Sequence, residues 1–170
     1  LRIAVEHWRR NAPRCSGALY WQLNDCWQVC SWSSMDYFGR WKAAHYAARR
    51  FFAPLALSVE QSQSTANIWL TNETIQPFHG QVRWFLETLS GQVIDSGQQA
   101  VQCSPFQPLC VRSLDFTAPL RQHGRGNLVF VVELWREEER IAMQTALFAA
   151  EKDMRLTDPA LNAEITLQSE

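Results

Sequence analysis

A chain of 170 residues with 46% hydrophobic, 12% aromatic and 19% charged side chains can bury a core, which excludes disorder for most of its length. Sixteen Lys and Arg against 17 Asp and Glu leave a formal net charge of -1, too weak a field to gather nucleic acid or an anionic membrane surface. No apolar run reaches the ~20 residues of a spanning helix, and the charged opening residues 1–10 lack the apolar centre of a signal peptide.

In chain order, Leu1, Ala4, Val5 and Trp8 recur at one-face helical spacing until Asn11-Ala12-Pro13 stops the helix. In that setting Glu6 reads as a solvated helix glutamate. The apolar run Gly17-Ala18-Leu19-Tyr20-Trp21-Gln22-Leu23 has the length and content of a parallel strand covered on both faces. A polar and aromatic loop follows over residues 24–39, far longer than the few residues usual for a βα connection. Trp41, Ala44, His45, Ala48 and Phe52 then repeat at helical spacing up to Pro54. Helix, strand, long loop and helix make one βα repeat preceded by the helix of another, a unit that cannot close a sheet by itself.

Composition changes near Pro54, after which short alternating runs are separated by Gly, Pro, Ser and Asn. Strand candidates are residues 55–60, 66–72, 81–89, 92–102, 109–117, 127–136 and 140–149. Val82, Trp84 and Leu86 alternate against Arg83 and Glu87, and Leu128, Phe130, Val132 and Leu134 make a second apolar face. Ser90-Gly91 and the acidic run Glu137-Glu138-Glu139 read as hairpin turns. Seven strands at this spacing predict an antiparallel, immunoglobulin-like β-sandwich. Residues 151–170 read as a linker into a further domain, with one strand-like run at 163–167.

Five cysteines, Cys15, Cys26, Cys30, Cys103 and Cys110, include no CxxC pair and read as buried free thiols. The four histidines have no ligand spacing, so neither a metal nor another cofactor is expected. Asn72-Glu73-Thr74 matches a glycosylation sequon, a pattern frequent by chance.

Chemistry concentrates in the long loop. Trp21, Asn24, Asp25, Trp27, Trp32 and Asp36 combine flat apolar faces with short amide and carboxylate groups. A pyranose asks for that mixture, because its axial C–H bonds pack on an indole and its hydroxyls need paired polar partners. The alternative is that the tryptophans are core and that Asn24 and Asp25 turn the chain.

Residues 17–27, GALYWQLNDCW, and 31–46, SWSSMDYFGRWKAAHY, resemble the closing strand, loop and helix of the catalytic barrel of β-mannosidases of glycoside hydrolase family 2. The likeness continues through Arg49-Arg50-Phe51-Phe52-Ala53-Pro54 into the sandwich half, where Val82-Arg83-Trp84 and residues 152–159 fit the same layout. Gln28 departs from the commonest pattern, in which Pro follows the tryptophan. The resemblance implies a mainly β chain, an immunoglobulin-like sandwich preceded by the last βα unit of a (β/α)8 TIM barrel. Its domains would be residues 1–53 from the barrel, 54–150 for the sandwich and 151–170 for the linker.

It further implies a retaining exo-glycosidase acting on terminal β-D-mannose, whose partner is a β-mannoside oligosaccharide or glycoside. Trp21, Asn24, Asp25 and Trp27 would lie near the sugar subsite, with Trp32 and Asp36 further along the loop. Retaining hydrolysis needs two carboxylic acids about 5–5.5 Å apart. In this family both are glutamates on earlier barrel strands, so no catalytic residue is expected in this chain. Without barrel neighbours, residues 17–23 should pair with a second copy or be poorly ordered. Exo-β-glucosaminidases of the same family are similar at the strand end but lack the wording of residues 31–36 and Trp41-Lys42. A carbohydrate-binding sandwich would instead need a platform from Trp69, Trp84 or Trp135, and a purely structural sandwich would need none.

Overall fold

The computed structural model describes residues 1–164. Helix α1 (Arg2–Arg10) and helix α2 (Ala43–Phe51) flank an irregular stretch. Seven strands follow: β1 (Leu55–Ser62), β2 (Thr65–Asn72), β3 (Phe78–Thr88), β4 (Val93–Cys103), β5 (Gln107–Asp115), β6 (Leu128–Arg136) and β7 (Glu139–Leu147). A short helix α3 (Thr117–His123) links β5 to β6. The run at 163–167 extends beyond the described residues.

The strands form two antiparallel sheets, β1-β2-β5 and β4-β3-β6-β7, the three-on-four arrangement of an immunoglobulin-like sandwich. Alternation decides which side chains meet. Val82, Trp84 and Leu86 of β3 lie opposite Leu134, Val132 and Phe130 of β6, and all six are buried between the sheets. Ala66, Ile68 and Leu70 of β2 complete the core from the other sheet. Gly97 on β4 lies opposite Trp84, and a Cβ there would collide with the indole, so only glycine allows the two strands to approach.

Turn chemistry follows the sequence. Gly91 takes φ +85 in the β3–β4 hairpin, and Glu137 takes φ +51 in the β6–β7 turn, so the first two residues of the acidic run make the turn and Glu139 opens β7. Helix α3 is an element that strand periodicity did not foresee. Asp115 accepts hydrogen bonds from the Thr117 N–H at 2.9 Å and its hydroxyl at 2.7 Å, starting the turn. Phe116 and Leu120 then close one end of the sandwich, with the Phe116 ring 5.1 Å from Phe130 and 5.7 Å from Phe148.

The structure differs from expectation in three respects, two of them within the first 53 residues. Residues 17–23 form no strand and join no ladder, and Leu19 is 96% exposed. The apolar run was read as a strand buried on both faces, but a parallel strand is buried only when neighbours cover it. Here only Ala18 and Tyr20 pack inward, against the small cluster of Val5, Ala48 and Phe51.

Helix α1 does not bury its Leu1-Ala4-Val5-Trp8 stripe. Its inner face is Val5, Glu6 and Arg9, while Leu1 and Trp8 are exposed. Glu6 is therefore buried rather than solvated, because α1 lies against the sandwich and Gln144 of β7 donates to its carboxylate at 2.6 Å. Arg2 donates to the same Gln144 at 3.1 Å, and Arg10 donates to Ser58 of β1 at 3.2 Å. The third correction concerns the thiols. Only Cys103 is buried, while Cys26, Cys30 and Cys110 are exposed, because loop and outer-sheet positions have nothing packed over them.

Candidate functional site

The loop after residue 23 is ordered by its own backbone. Residues 33–35 turn back between residues 23–25 and 41–42, and take the place of strand neighbours. Met35 N–H donates to Leu23 O at 2.9 Å, Asp25 N–H to Met35 O at 3.0 Å and Lys42 N–H to Ser34 O at 2.9 Å. Met35 thus bridges Asn24 in parallel and Trp41 in antiparallel sense. Tyr20, anchored in the small apolar cluster, donates its hydroxyl to Ser34 Oγ at 2.8 Å, and Ser34 Oγ donates to Leu23 O at 3.1 Å.

At the centre of this fold-back sits Asp25, 3% exposed. One carboxylate oxygen accepts the Ser31 hydroxyl, and the other accepts Lys42 Nζ at 2.6 Å. Lys42 Nζ also donates to Ser33 Oγ at 2.7 Å, and the Ser33 hydroxyl in turn donates to Met35 O at 2.9 Å. The Lys42 hydrogen bond, followed by that from Ser31, holds the Asp25 carboxyl below the usual carboxylate range.

Asp36 has a separate task. Its Oδ1 accepts the N–H groups of Phe38 and Arg40, both at 2.9 Å, and its Oδ2 accepts Arg40 Nε at 2.6 Å. Gly39 at φ +79 completes the turn. These bonds, led by the Arg40 N–H, lower the Asp36 pKa.

The aromatic residues behave differently from the acids. Trp21, Trp27 and Trp32 are 73%, 66% and 67% exposed. Trp41 is exposed as well and stacks on His45 at 4.4 Å, and Tyr37 and Phe38 are exposed and pack edge-on against each other. Asn24 is exposed beside them, its amide donating only a 3.3 Å bond to Asp25 O. The fold-back therefore leaves Trp21, Asn24, Trp27 and Trp32 exposed to solvent and buries Asp25. Lys42, Ser31 and Ser33 belong to this arrangement and were not singled out by residue type. The signal for Lys42 was available only as a cation one residue before a helix that shares its loop with an acid.

The sandwich offers no comparable platform among the described residues. Trp84 is buried, Trp69 is half-buried, and Arg83 lies over the Trp135 ring at 4.5 Å with Glu133 accepting the indole N–H at 2.9 Å. No group of His, Cys, Asp or Glu in the described residues has the makings of a metal centre. The sequon Asn72 is fully buried and internally hydrogen-bonded.

Comparisons with known proteins agree with this architecture. A family model described as a mannosidase Ig/CBM-like domain matches residues 64–153, which starts in the β1–β2 hairpin and omits β1. A β-mannosidase of Capra hircus is 74% identical over 39 residues, which is 23% of this chain and 4% of that protein. A β-mannosidase A of Aspergillus clavatus is 31% identical over 119 residues, 67% of this chain and 13% of its own length. The chain thus spans only a small part of the curated relatives it matches.

The crystal structure of a β-D-mannosidase from Dictyoglomus thermophilum superposes with a TM-score of 0.83 at 24% identity, covering 91% of this chain and 19% of that one. That coverage takes in most of the first 53 residues as well as the sandwich, so the fold is an immunoglobulin-like sandwich preceded by the end of a barrel. Because the family model takes in β2 to β7 and more than half of the residues, the chain belongs to the mannosidase Ig/CBM-like domain family.

Proposed function

We propose that this chain is the C-terminal part of a retaining exo-β-mannosidase, an enzyme that removes terminal non-reducing β-D-mannose, and that it contributes sugar contacts but no catalytic carboxylate. The observation that carries this reading is the exposure of Trp21, Asn24, Trp27 and Trp32, all in one segment whose backbone is fixed from within. Solvent-facing indoles grouped in this way signal an unfilled recognition surface. An indole face packs on the C–H face of a pyranose, and a neighbouring amide pairs its hydroxyls. The likeness to β-mannosidases of Capra and Aspergillus supports mannose as the sugar.

Neither acid in the loop is free for general acid or nucleophile work. Asp25 is sealed by Ser31 and Lys42, and Asp36 is occupied by the Phe38–Arg40 turn. Glu6 lies at the junction with the sandwich, bonded to Gln144. The acid and the nucleophile would come from barrel strands outside this chain, and its share of the work is to bind and orient the sugar.

The test is hydrolysis of an aryl β-D-mannoside by the enzyme that carries this segment, before and after Trp27→Ala. Loss of one stacking face should lower kcat/KM by about 1–3 kcal/mol while the 170-residue chain alone shows no turnover. Unchanged kcat/KM in the variant would remove Trp27 from the subsite, and turnover by the isolated chain would mean that it holds its own carboxylate pair.

A further inference from the structure

The Lys42 side chain joins both ends of the aromatic loop. Its Nζ reaches the Asp25 carboxylate at the loop's entry and the Ser33 hydroxyl near its middle. Its own backbone N–H is bonded to Ser34 O, just ahead of α2. Three of the exposed tryptophans, Trp27, Trp32 and Trp41, stand within two residues of Lys42 or of a group it holds. Trp27 follows Asp25, Trp32 lies between Ser31 and Ser33, and Trp41 directly precedes Lys42.

The acid it binds has no water to fall back on, since Asp25 is buried and its other oxygen is taken by Ser31. Removing the ammonium would leave a buried carboxylate with half its partners, and the segment would have to open to hydrate it. Trp27 and Trp32 are about two-thirds exposed and Trp41 packs on helix α2 through His45 and Tyr46, so the backbone that carries them depends on this polar knot.

Resting on the reading of the loop as a sugar-binding surface, we infer that Lys42 is a positioning residue, whose ion pair with Asp25 and hydrogen bond to Ser33 hold Trp27, Trp32 and Trp41 in the arrangement that receives the pyranose. It touches no sugar itself. A surface set in advance of binding spares the ordering cost that a loose loop would meet at each encounter. Loss of Lys42 should therefore weaken capture of substrate and leave bond cleavage in the bound complex nearly unaffected.

The experiment compares Lys42→Met and Lys42→Arg in the enzyme that carries this segment, with an aryl β-D-mannoside as probe, and follows hydrogen exchange in the same variants. For Lys42→Met the expected result is a KM about tenfold higher with kcat within about twofold. Amides of Asp25, Ser34 and Met35 should exchange faster while strands β3 and β6 stay protected. Lys42→Arg, which keeps the charge, should restore most of both effects. An unchanged KM, a fall confined to kcat, or equal damage from Arg and Met would overturn the assignment. If the unaltered enzyme leaves the mannoside intact, the substrate reading fails. Exchange at Asp25, Ser34 and Met35 still decides whether Lys42 orders the loop.

Discussion

Arg9 Nε lies 2.8 Å from Glu73 Oε1, joining helix α1 to the loop between β2 and β3. The ion pair is the outer part of a larger clamp. Arg9 is buried, and its remaining nitrogens donate to Phe51 O at 2.5 Å and Ala53 O at 2.8 Å, the carbonyls at the end of α2 where the chain enters the sandwich. One guanidinium therefore fixes both helices and the sandwich to each other, with the planar fork that suits several acceptors at once.

Arg9→Met keeps much of the stem and removes the fork, leaving two carbonyls without their donor. The expected cost is about 1–3 kcal/mol. Glu73→Gln should cost under about 1 kcal/mol, because its carboxylate is half exposed and screened by water. Denaturant unfolding of the two variants checks the ratio. Hydrogen exchange should locate the Arg9→Met effect in α1 and α2, with the sandwich unaffected. Equal costs would mean that the ion pair rather than the carbonyl bonds holds the junction.

Asn72 closes the β2–β3 corner from inside. Its amide donates to Gln76 O at 2.8 Å and Cys103 O at 3.2 Å, and its oxygen accepts the Thr74 N–H at 3.0 Å and the Thr74 hydroxyl at 2.7 Å. A glycan on that nitrogen would replace one of its two donating hydrogens and has no room beside a fully buried side chain, so folded protein recovered from a glycosylating secretory host should carry none at Asn72. Asn72→Ala should destabilise by about 1–3 kcal/mol through the unpaired carbonyls. Intact mass and thermal unfolding check the two halves of this prediction.

Much of the sandwich was legible because its signal is local. Val82, Trp84 and Leu86, or Leu128 to Leu134, state their inner face by alternation alone, and Gly91 marks its own turn. Helix α3 was not legible, because seven residues containing Pro119 and flanked by strands carry too short a period. The inner face of α1 was misjudged for a different reason. Glu6 and Arg9 are buried by partners at Gln144, Glu73, Phe51 and Ala53, distant in sequence, whereas Leu1 and Trp8 stay exposed among the described residues. In the candidate site the residue types were readable, but their roles were not. Asp25 and Trp27 are two residues apart, yet one is sealed and the other exposed, because only the fold-back of residues 33–35 separates inside from outside.

Glu6 makes stability depend on pH in a direction opposite to that of the loop acids. Burial raises its pKa above the usual carboxylate value, against the opposing pull of Arg2, Arg10, the Gln144 hydrogen bond and Arg9. Stability from such a group is fully present below the unfolded value of about 4.3 and is lost as pH rises through the raised folded value. Glu6→Gln keeps a neutral side chain of the same shape next to Gln144 and carries no ionisation penalty. It should therefore melt at a higher temperature than the parent chain at pH 7, with the difference shrinking toward pH 4. A variant that melts lower at pH 7 would show that the arginine charges outweigh the burial.

Asn24 and Asp25, neighbours in sequence and alike in residue type, differ in exposure. Asn24 is exposed beside the indoles, and most of its amide is free to pair with a ring hydroxyl. Asp25 has both oxygens engaged by Ser31 and Lys42 and lies beneath the loop. A site built to pair a hydroxyl discriminates against the epimer that leaves its polar group unmatched. Asn24→Ala, in the enzyme that carries this segment, should therefore narrow the ratio of kcat/KM for aryl β-mannoside over aryl β-glucoside while thermal stability stays close to that of the parent. Asp25→Asn weakens the partner of Lys42 and should raise KM for both sugars together, leaving the ratio unchanged, with a loss of order at Ser34 and Met35. Epimer preference lost in Asp25→Asn but kept in Asn24→Ala would reverse the assignment and bring the Asp25 carboxylate to the sugar.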